Sequence, residues 1–225
     1  EDGKVLSAVM IWKKSETVSR QAVLSYNAEE QISEIEWSES ISDPLRTATL
    51  LIGKDVYTYS DGAVSIKRYL AIELVTDPTN GLQRETVLTM IEGQYRVSES
   101  KNYADGQLVD VSRFDYVIGI TVYTCLAGAV CPPPVTTVHL YRVVRMNAEG
   151  KLLSEISSIY GNSGVITLPN GASKDVTFST LEELIEQTRQ FEQKTAAAIA
   201  AVKIKLAKPM GLSVEALDAL IAWQQ

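Results

Sequence analysis

Four sets of residues in this chain have the types and spacing to do chemistry. Cys125 and Cys131 flank the small stretch Leu-Ala-Gly-Ala-Val and run into Pro132-Pro133-Pro134. Two strand ends around such a loop can bring their Cα atoms within the ~4.4–6.8 Å that a disulfide needs. Bridges of this kind persist in secreted or periplasmic proteins, and the alternative is two reduced thiols beside a loop. A metal site would need more ligands, and His139 is the chain's single histidine. No Cys-x-x-Cys motif opens a helix, which disfavours a redox-active pair.

His139 lies in Val138-His139-Leu140-Tyr141, where alternation sets it opposite the apolar residues, on a strand surface. Any Ser-His-Asp triad would have to use it. The chain has no Gly-x-Ser-x-Gly elbow, no Walker-type loop and no dinucleotide fingerprint. No catalytic residue, metal or cofactor is therefore assigned. Glu34 and Glu36 share a strand face, as the two acids of a glycosidase do, but acids on a wet face are commonplace. Arg68 and Arg142 each interrupt an apolar strand face. They are placed either to bind an anionic head group inside a sheet concavity or to reach solvent from a sheet margin.

The elements that must position these groups are strands. Val5 to Trp12, Thr17 to Tyr26 and Gln31 to Trp37 are rich in Val, Leu, Ile and aromatic residues. Gly53-Lys54-Asp55 reads as the turn of a short hairpin. Asp61-Gly62, Asp105-Gly106 and Glu149-Gly150 read as hairpin tips, because Gly takes positive φ without a Cβ clash. The acidic residues of these three tips are evenly spaced. Each interval reads as a strand out, a loop at the far end (Asp77 to Gly81, then Leu126 to Pro134) and a strand back. That reading places all three tips on one edge of one sheet.

Within the strands the period is two. Val64, Ile66, Leu70, Ile72 and Leu74 fall on one face and Ser65, Lys67, Tyr69 and Glu73 on the other. Phe114, Tyr116, Ile118, Ile120 and Val122 repeat the pattern, as do Val138, Leu140, Val144 and Met146. Sheets with one wet face are antiparallel meanders, whereas buried parallel strands are apolar on both sides. The fold class is mainly β: an antiparallel meander of long hairpins, a large curved sheet, over residues 1–178.

Residues 179–225 supply helices to cover the apolar face. Thr180 and Glu183 form a capping box, acids gather in the early turns and lysines near the end, and Pro209 and Gly211 stop the helix. Leu184, Ile185, Phe191 and Ile199 form the side expected to pack on the sheet. Ser213 caps a shorter helix from Val214 to Trp223 that carries Leu217. A partner-binding or self-associating helix is the alternative, since the run Ala196 to Ala201 permits close approach. All 225 residues are read as a single domain.

The tips carry a resemblance. Tyr26-Asn27-Ala28-Glu29-Glu30-Gln31-Ile32, Asn102-Tyr103-Ala104-Asp105-Gly106-Gln107-Leu108 and Met146-Asn147-Ala148-Glu149-Gly150-Lys151-Leu152 resemble the tyrosine-aspartate (Rhs-type) hairpin repeat of bacterial secreted and surface proteins, Tyr-Asp-x-x-Gly-Arg-Leu. Asn27 and Asn147 replace its Asp, and Glu30 stands where its Gly belongs. The resemblance implies a bacterial, exported, non-enzymatic scaffold.

Composition narrows the partners. The chain is 45% hydrophobic, enough for a real core, with a formal net charge of −7. An acidic surface disfavours nucleic acid and anionic membranes. No apolar run approaches the ~20 residues of a membrane-crossing helix. The start at Glu1-Asp2, without Met, fits a removed targeting segment or a trimmed end. The expected function is an exported, periplasmic or secreted, binding or scaffold protein whose partner is a protein or a hydrophobic small ligand. A periplasmic carrier of a hydrophobic ligand, such as a lipid or lipoprotein, is the alternative, and a hydrolase with an unrecognised carboxylate site the third.

Overall fold

A computed structural model describes residues 7–43, 46–70, 81–123, 125, 130–210 and 212–223. Its strands are β1 (Ser7–Lys13), β2 (Val18–Tyr26), β3 (Ile32–Asp43), β4 (Arg46–Ser60), β5 (Ala63–Leu70), β6 (Leu82–Ile91), β7 (Gln94–Ala104), β8 (Gln107–Thr121), β9 (Val135–Asn147), β10 (Leu152–Tyr160), β11 (Ser163–Thr167) and β12 (Ser173–Thr177). Two helices follow, α1 (Leu181–Ala207) and α2 (Val214–Trp223), joined through a 3-10 turn at Lys208–Met210. The strands stand in the sheet in chain order, and each of the pairings β1 to β9 and β10 to β12 is antiparallel. This is the antiparallel meander with a C-terminal helix packed on it. Ile72, Leu74 and the loop Asp77 to Asn80 lie outside the described residues.

Two kinds of tip recur. Asp105-Gly106 and Glu92-Gly93 each have positive φ at both positions, the two-residue type I′ geometry whose twist matches the strands it joins. At the second kind, the Asn147 amide donates to Lys151 O (2.9 Å) and the Gly150 amide to Asn147 O (3.0 Å). The Asn147 side chain also accepts from the Lys151 amide at 2.8 Å. The β2–β3 tip repeats this arrangement, with Asn27 in the role of Asn147. Glu30 there takes the left-handed conformation, φ 63°, that Gly150 takes at 78°.

Even spacing of the acidic tips misleads about their placement. Three strands, β5, β6 and β7, separate Asp61-Gly62 from Asp105-Gly106, because the Glu92-Gly93 turn adds a reversal within that interval. Two strands, β8 and β9, separate Asp105-Gly106 from Glu149-Gly150. An odd number of strands carries the chain to the other end of the sheet, so Asp61-Gly62 sits opposite the other two. The same-edge expectation is overturned.

Gly53-Lys54-Asp55 is likewise no turn; it lies mid-strand in β4. The ladder runs Trp37↔Gly53 and then Ser38↔Leu51, which leaves Ile52 as an extra, bulged residue. Gly53 is required by close approach, since a Cβ there would fall 2.5 Å from Tyr69 O of the neighbouring strand. A second bulge, at Tyr141, lets Arg142 oppose Asp115 while Leu140 opposes Tyr116. Counting by twos across it merges two faces: Val138 and Leu140 share a side with Val143, and Arg142, Val144 and Met146 point the other way.

Compactness divides the chain into residues 1–151 and 152–225, so the last three strands group with the helices. In the first unit Ala22, Leu24 and Ile35 are buried, with Ala8, Tyr26, Ile32, Trp37 and Tyr57 packed against them. The opposite face carries charge: Lys67, Glu85, Lys101, Glu99 and Arg113 pair in succession across β5 to β8 at 3.0–4.0 Å. In the second unit Ile156, Ile166, Leu168, Val176 and Phe178 are buried with Leu184 of α1.

The helix begins as its sequence demands. Thr180 is the N-cap and its side chain accepts from the Glu183 amide at 3.1 Å, while Glu183 accepts from the Ser179 amide at 2.7 Å. Packing on β10 and β12 holds its first half: Leu184 and Thr188 are buried, Ile185 and Phe191 half-buried. Ser154 of β10 adds a hydrogen bond to Glu192 at 2.5 Å. Ile199, by contrast, is exposed, as are Val202, Ile204 and Leu206. Length explains this, for 27 helical residues span ~40 Å, while β12, with 5 residues, reaches only ~17 Å. The expected packing side is thus seated at Leu184, Ile185 and Phe191 and not at Ile199.

Candidate functional site

The first unit carries a polar row across one face of its sheet. Register places Ile35 opposite Asp55, Asp55 opposite Arg68, Arg68 opposite Arg84, Arg84 opposite Asn102, and Asn102 opposite Asp110. Because cross-strand partners share a side of the sheet, these groups form one line. Two of them, Asp55 and Asp110, are buried. A buried carboxylate is tolerated only with donors to replace its water, and each has them.

Asp55 accepts a two-pronged bond from Arg68, Nε to Oδ1 at 2.7 Å and Nη2 to Oδ2 at 2.8 Å. The Trp37 indole Nε1 donates to Oδ2 at 3.0 Å. Trp37 is in turn fixed edge-on by Trp12, ring centroids 5.9 Å apart. Burial, then the charge of Asp55, raises the Tyr57 hydroxyl above its ordinary pKa. Asp55 is almost wholly enclosed, yet the Arg68 side chain is 52% exposed. The guanidinium thus spans from a buried anchor to solvent.

A pocket of about 220 Å³ opens on this pair, lined by Arg20, Trp37, Gly53, Arg68, Leu70 and Gln83 among others. Arg20 donates to Glu39, Nη2 to Oε1 at 2.7 Å, and Lys14 bonds the same oxygen. Those bonds, Lys14 first and Arg20 second, hold Glu39 below the ordinary carboxylate range. The site therefore offers cationic donors, an indole edge and the aliphatic side chain of Leu70.

At the other end of the row, Asp110 accepts from Asn102 Nδ2 at 2.8 Å and pairs with Arg145 Nη2 at 3.2 Å. Here both partners are buried. Ser112, opposite Arg145 in register, is buried with its hydroxyl unpartnered.

The sequence-derived candidates separate. Arg68 lines the pocket; Arg142 lies four strands away on the opposite face, across from Asp115. Cys125 and Cys131 are joined, Cα atoms 5.7 Å apart. His139 is exposed opposite Val117. Glu34 is paired with Lys54 at 2.7 Å, and Glu36 is exposed. Among the described residues no group of His, Cys, Asp and Glu is placed to hold a metal, and no helix is long and apolar enough to cross a membrane. Asp55, Asp110 and Arg145 escaped the sequence reading. The signal that singled out Arg68, a charge in phase with an apolar face, applies equally to Asp55 between Gly53 and Tyr57.

No family model matches the chain, and neither does any curated protein. Among solved structures, a porin-like protein from Bacteroides uniformis ATCC 8492 is similar at 12% identity and a TM-score of 0.39, over 76% of this chain. This chain spans 54% of that one's length. A likeness at that level decides neither fold nor function.

Proposed function

We propose that the chain is a non-catalytic binding or scaffold part of an exported bacterial protein, and that its pocket at Arg68 receives the anionic group of a small ligand. The observation that carries this reading is the half-exposed side chain of Arg68, held by buried Asp55 beside a concavity lined by Trp37, Leu70 and Arg20. A carboxylate, phosphate or sulfate would be drawn to the cationic side chains of Arg68 and Arg20, and an aromatic or aliphatic body would rest on Trp37 and Leu70. The Cys125–Cys131 bridge supports export, since reducing compartments seldom maintain disulfides. At about 220 Å³, the pocket is below the ~300–1,000 Å³ of sites that enclose drug-sized molecules, which favours a head group over a whole lipid.

Phenyl phosphate is a suitable probe, with phenol as its uncharged counterpart. Calorimetric titration is expected to show binding of phenyl phosphate, weaker or undetectable binding of phenol, and loss of the phosphate preference in Arg68→Gln. Equal affinity of wild type and Arg68→Gln for phenyl phosphate, or no binding at all, overturns the assignment.

A further inference from the structure

The three short strands β10, β11 and β12 have one side in the core of the second unit and one side in water. Ile156, Gly164, Ile166 and Val176, all buried, mark the first side. The second carries Ser157, Val165 and Asp175 in one register row and Ser163 and Thr177 in the next. Strict alternation from Ser157 would send Tyr160 to the buried side. It does not, because the ladder passes from Ser157↔Val165 to Tyr160↔Ser163, so that Ser158 and Ile159 together oppose Gly164. Ser158 absorbs the extra residue in the left-handed conformation, φ 54°; Glu30, Glu92 and Asp105, which share it, all sit at hairpin tips. Bulges re-aim side chains in this way, and this one returns Tyr160, 88% exposed, to the side of Ser163.

A hollow of about 330 Å³ opens here, lined by Ser158, Ser163, Val165, Asp175 and Thr177 among others. Three hydroxyls and one carboxylate line it, and among the described residues no Lys or Arg does. The Ser163 hydroxyl donates to Tyr160 O at 3.0 Å, which leaves its oxygen to accept. Asp175 is exposed.

We propose that this hollow is a subsite for a neutral sugar ring, with Asp175 and Ser163 taking hydroxyls of the ring and Tyr160 its apolar C–H face. The lining calls for a ligand rich in hydroxyl groups. A carboxylate accepts two neighbouring hydroxyl protons in short, charge-assisted bonds, and Ser and Thr hydroxyls both donate and accept. An anion meets no cation here. A cation meets one carboxylate in open water, which is worth little by itself, and a metal needs more ligands than the described residues bring together. An aromatic ring exposed beside polar groups gains by being covered on its face, and a pyranose presents C–H groups there while its hydroxyls point to the rim. Strands backed by buried Ile156, Ile166 and Val176 hold these groups in fixed positions. The site is separate from the pocket at Arg68.

Saturation-transfer NMR of the full chain with cellotriose tests this, since its rings carry adjacent equatorial hydroxyls and apolar C–H faces. Wild type is expected to transfer saturation to the sugar's ring protons. Tyr160→Ala and Asp175→Ala are each expected to lose about tenfold or more in affinity with unchanged unfolding midpoints, because both side chains are already in water. Lys174→Gln, on the other side of β12, keeps wild-type affinity, and so does Arg68→Gln, which separates this site from the anionic one. Absence of transfer in wild type, or equal affinity in Tyr160→Ala or Asp175→Ala, overturns the proposal. Binding of tetramethylammonium in place of cellotriose, lost in Asp175→Ala, overturns it in favour of a cationic ligand.

Discussion

Asp55 and Asp110 sit in one cross-strand row, both buried, both bonded to an arginine, yet the two sites differ in their access to water. The Arg68 side chain is 52% exposed and opens onto a pocket, whereas that of Arg145 is 2% exposed. An ion pair closed from water on both sides is a structural commitment: its desolvation is repaid only while both partners remain. An ion pair with one partner in solvent keeps part of its cation hydrated, so less of its stability depends on the partner. The comparison shows that the exposure of the cation, more than the geometry of the pair, separates the two: one is sealed from water and the other open to it.

Removing a partner from the closed pair should have the largest effect. Asp110→Ala leaves Arg145 buried without its carboxylate and is expected to cost about 3–5 kcal/mol, read as a lowered urea midpoint at constant slope. A loss under about 1 kcal/mol would mean that the two sites are alike. Arg68→Ala should cost less, about 1–3 kcal/mol, because water entering through the pocket can replace the fork while Trp37 still donates to Asp55. If the two losses are equal, the distinction fails.

The smallest effect is expected on the opposite face, where the charge ladder is wet. Burial acts to raise Glu99, but hydrogen bonds and charges from Lys101 and Arg113 together hold it below its ordinary value. A carboxyl so lowered contributes stability in full above its unfolded pKa and loses it as pH falls through the folded one. Glu99→Gln should therefore destabilise by about 0.2–1 kcal/mol at neutral pH and by nothing measurable once the carboxyl is protonated in both states. A penalty that persists in acid would assign Glu99 a role in packing and not in pairing.

Local signals carried much of this architecture. Thr180 with Glu183, Ser213, and the Asn27 and Asn147 tips are governed by neighbours within four residues, and the helices start and the tips turn where those residues indicate. Non-local contacts were hidden. Gly53 looked like a turn because a glycine forced by the approach of Tyr69 is indistinguishable, along the chain, from one that reverses it. Arg142 was assigned to the wrong face because alternation cannot register the inserted Tyr141. The site was half legible: Arg68 stood out as a charge among apolar neighbours, but its anchor lies in another strand, and strand register alone brings Asp55 to it.

Gly53 gives that register a single point of vulnerability. Any larger residue there must push Tyr69 O away from a 2.5 Å approach, prying β4 from β5 two positions before Asp55 meets Arg68. The pocket's recognition chemistry could thus be detuned by one methyl group that touches none of its polar atoms. Gly53 is the steric set-screw of the β4–β5 seam: the spacing that seats Arg68 against Asp55 holds only while that position stays empty.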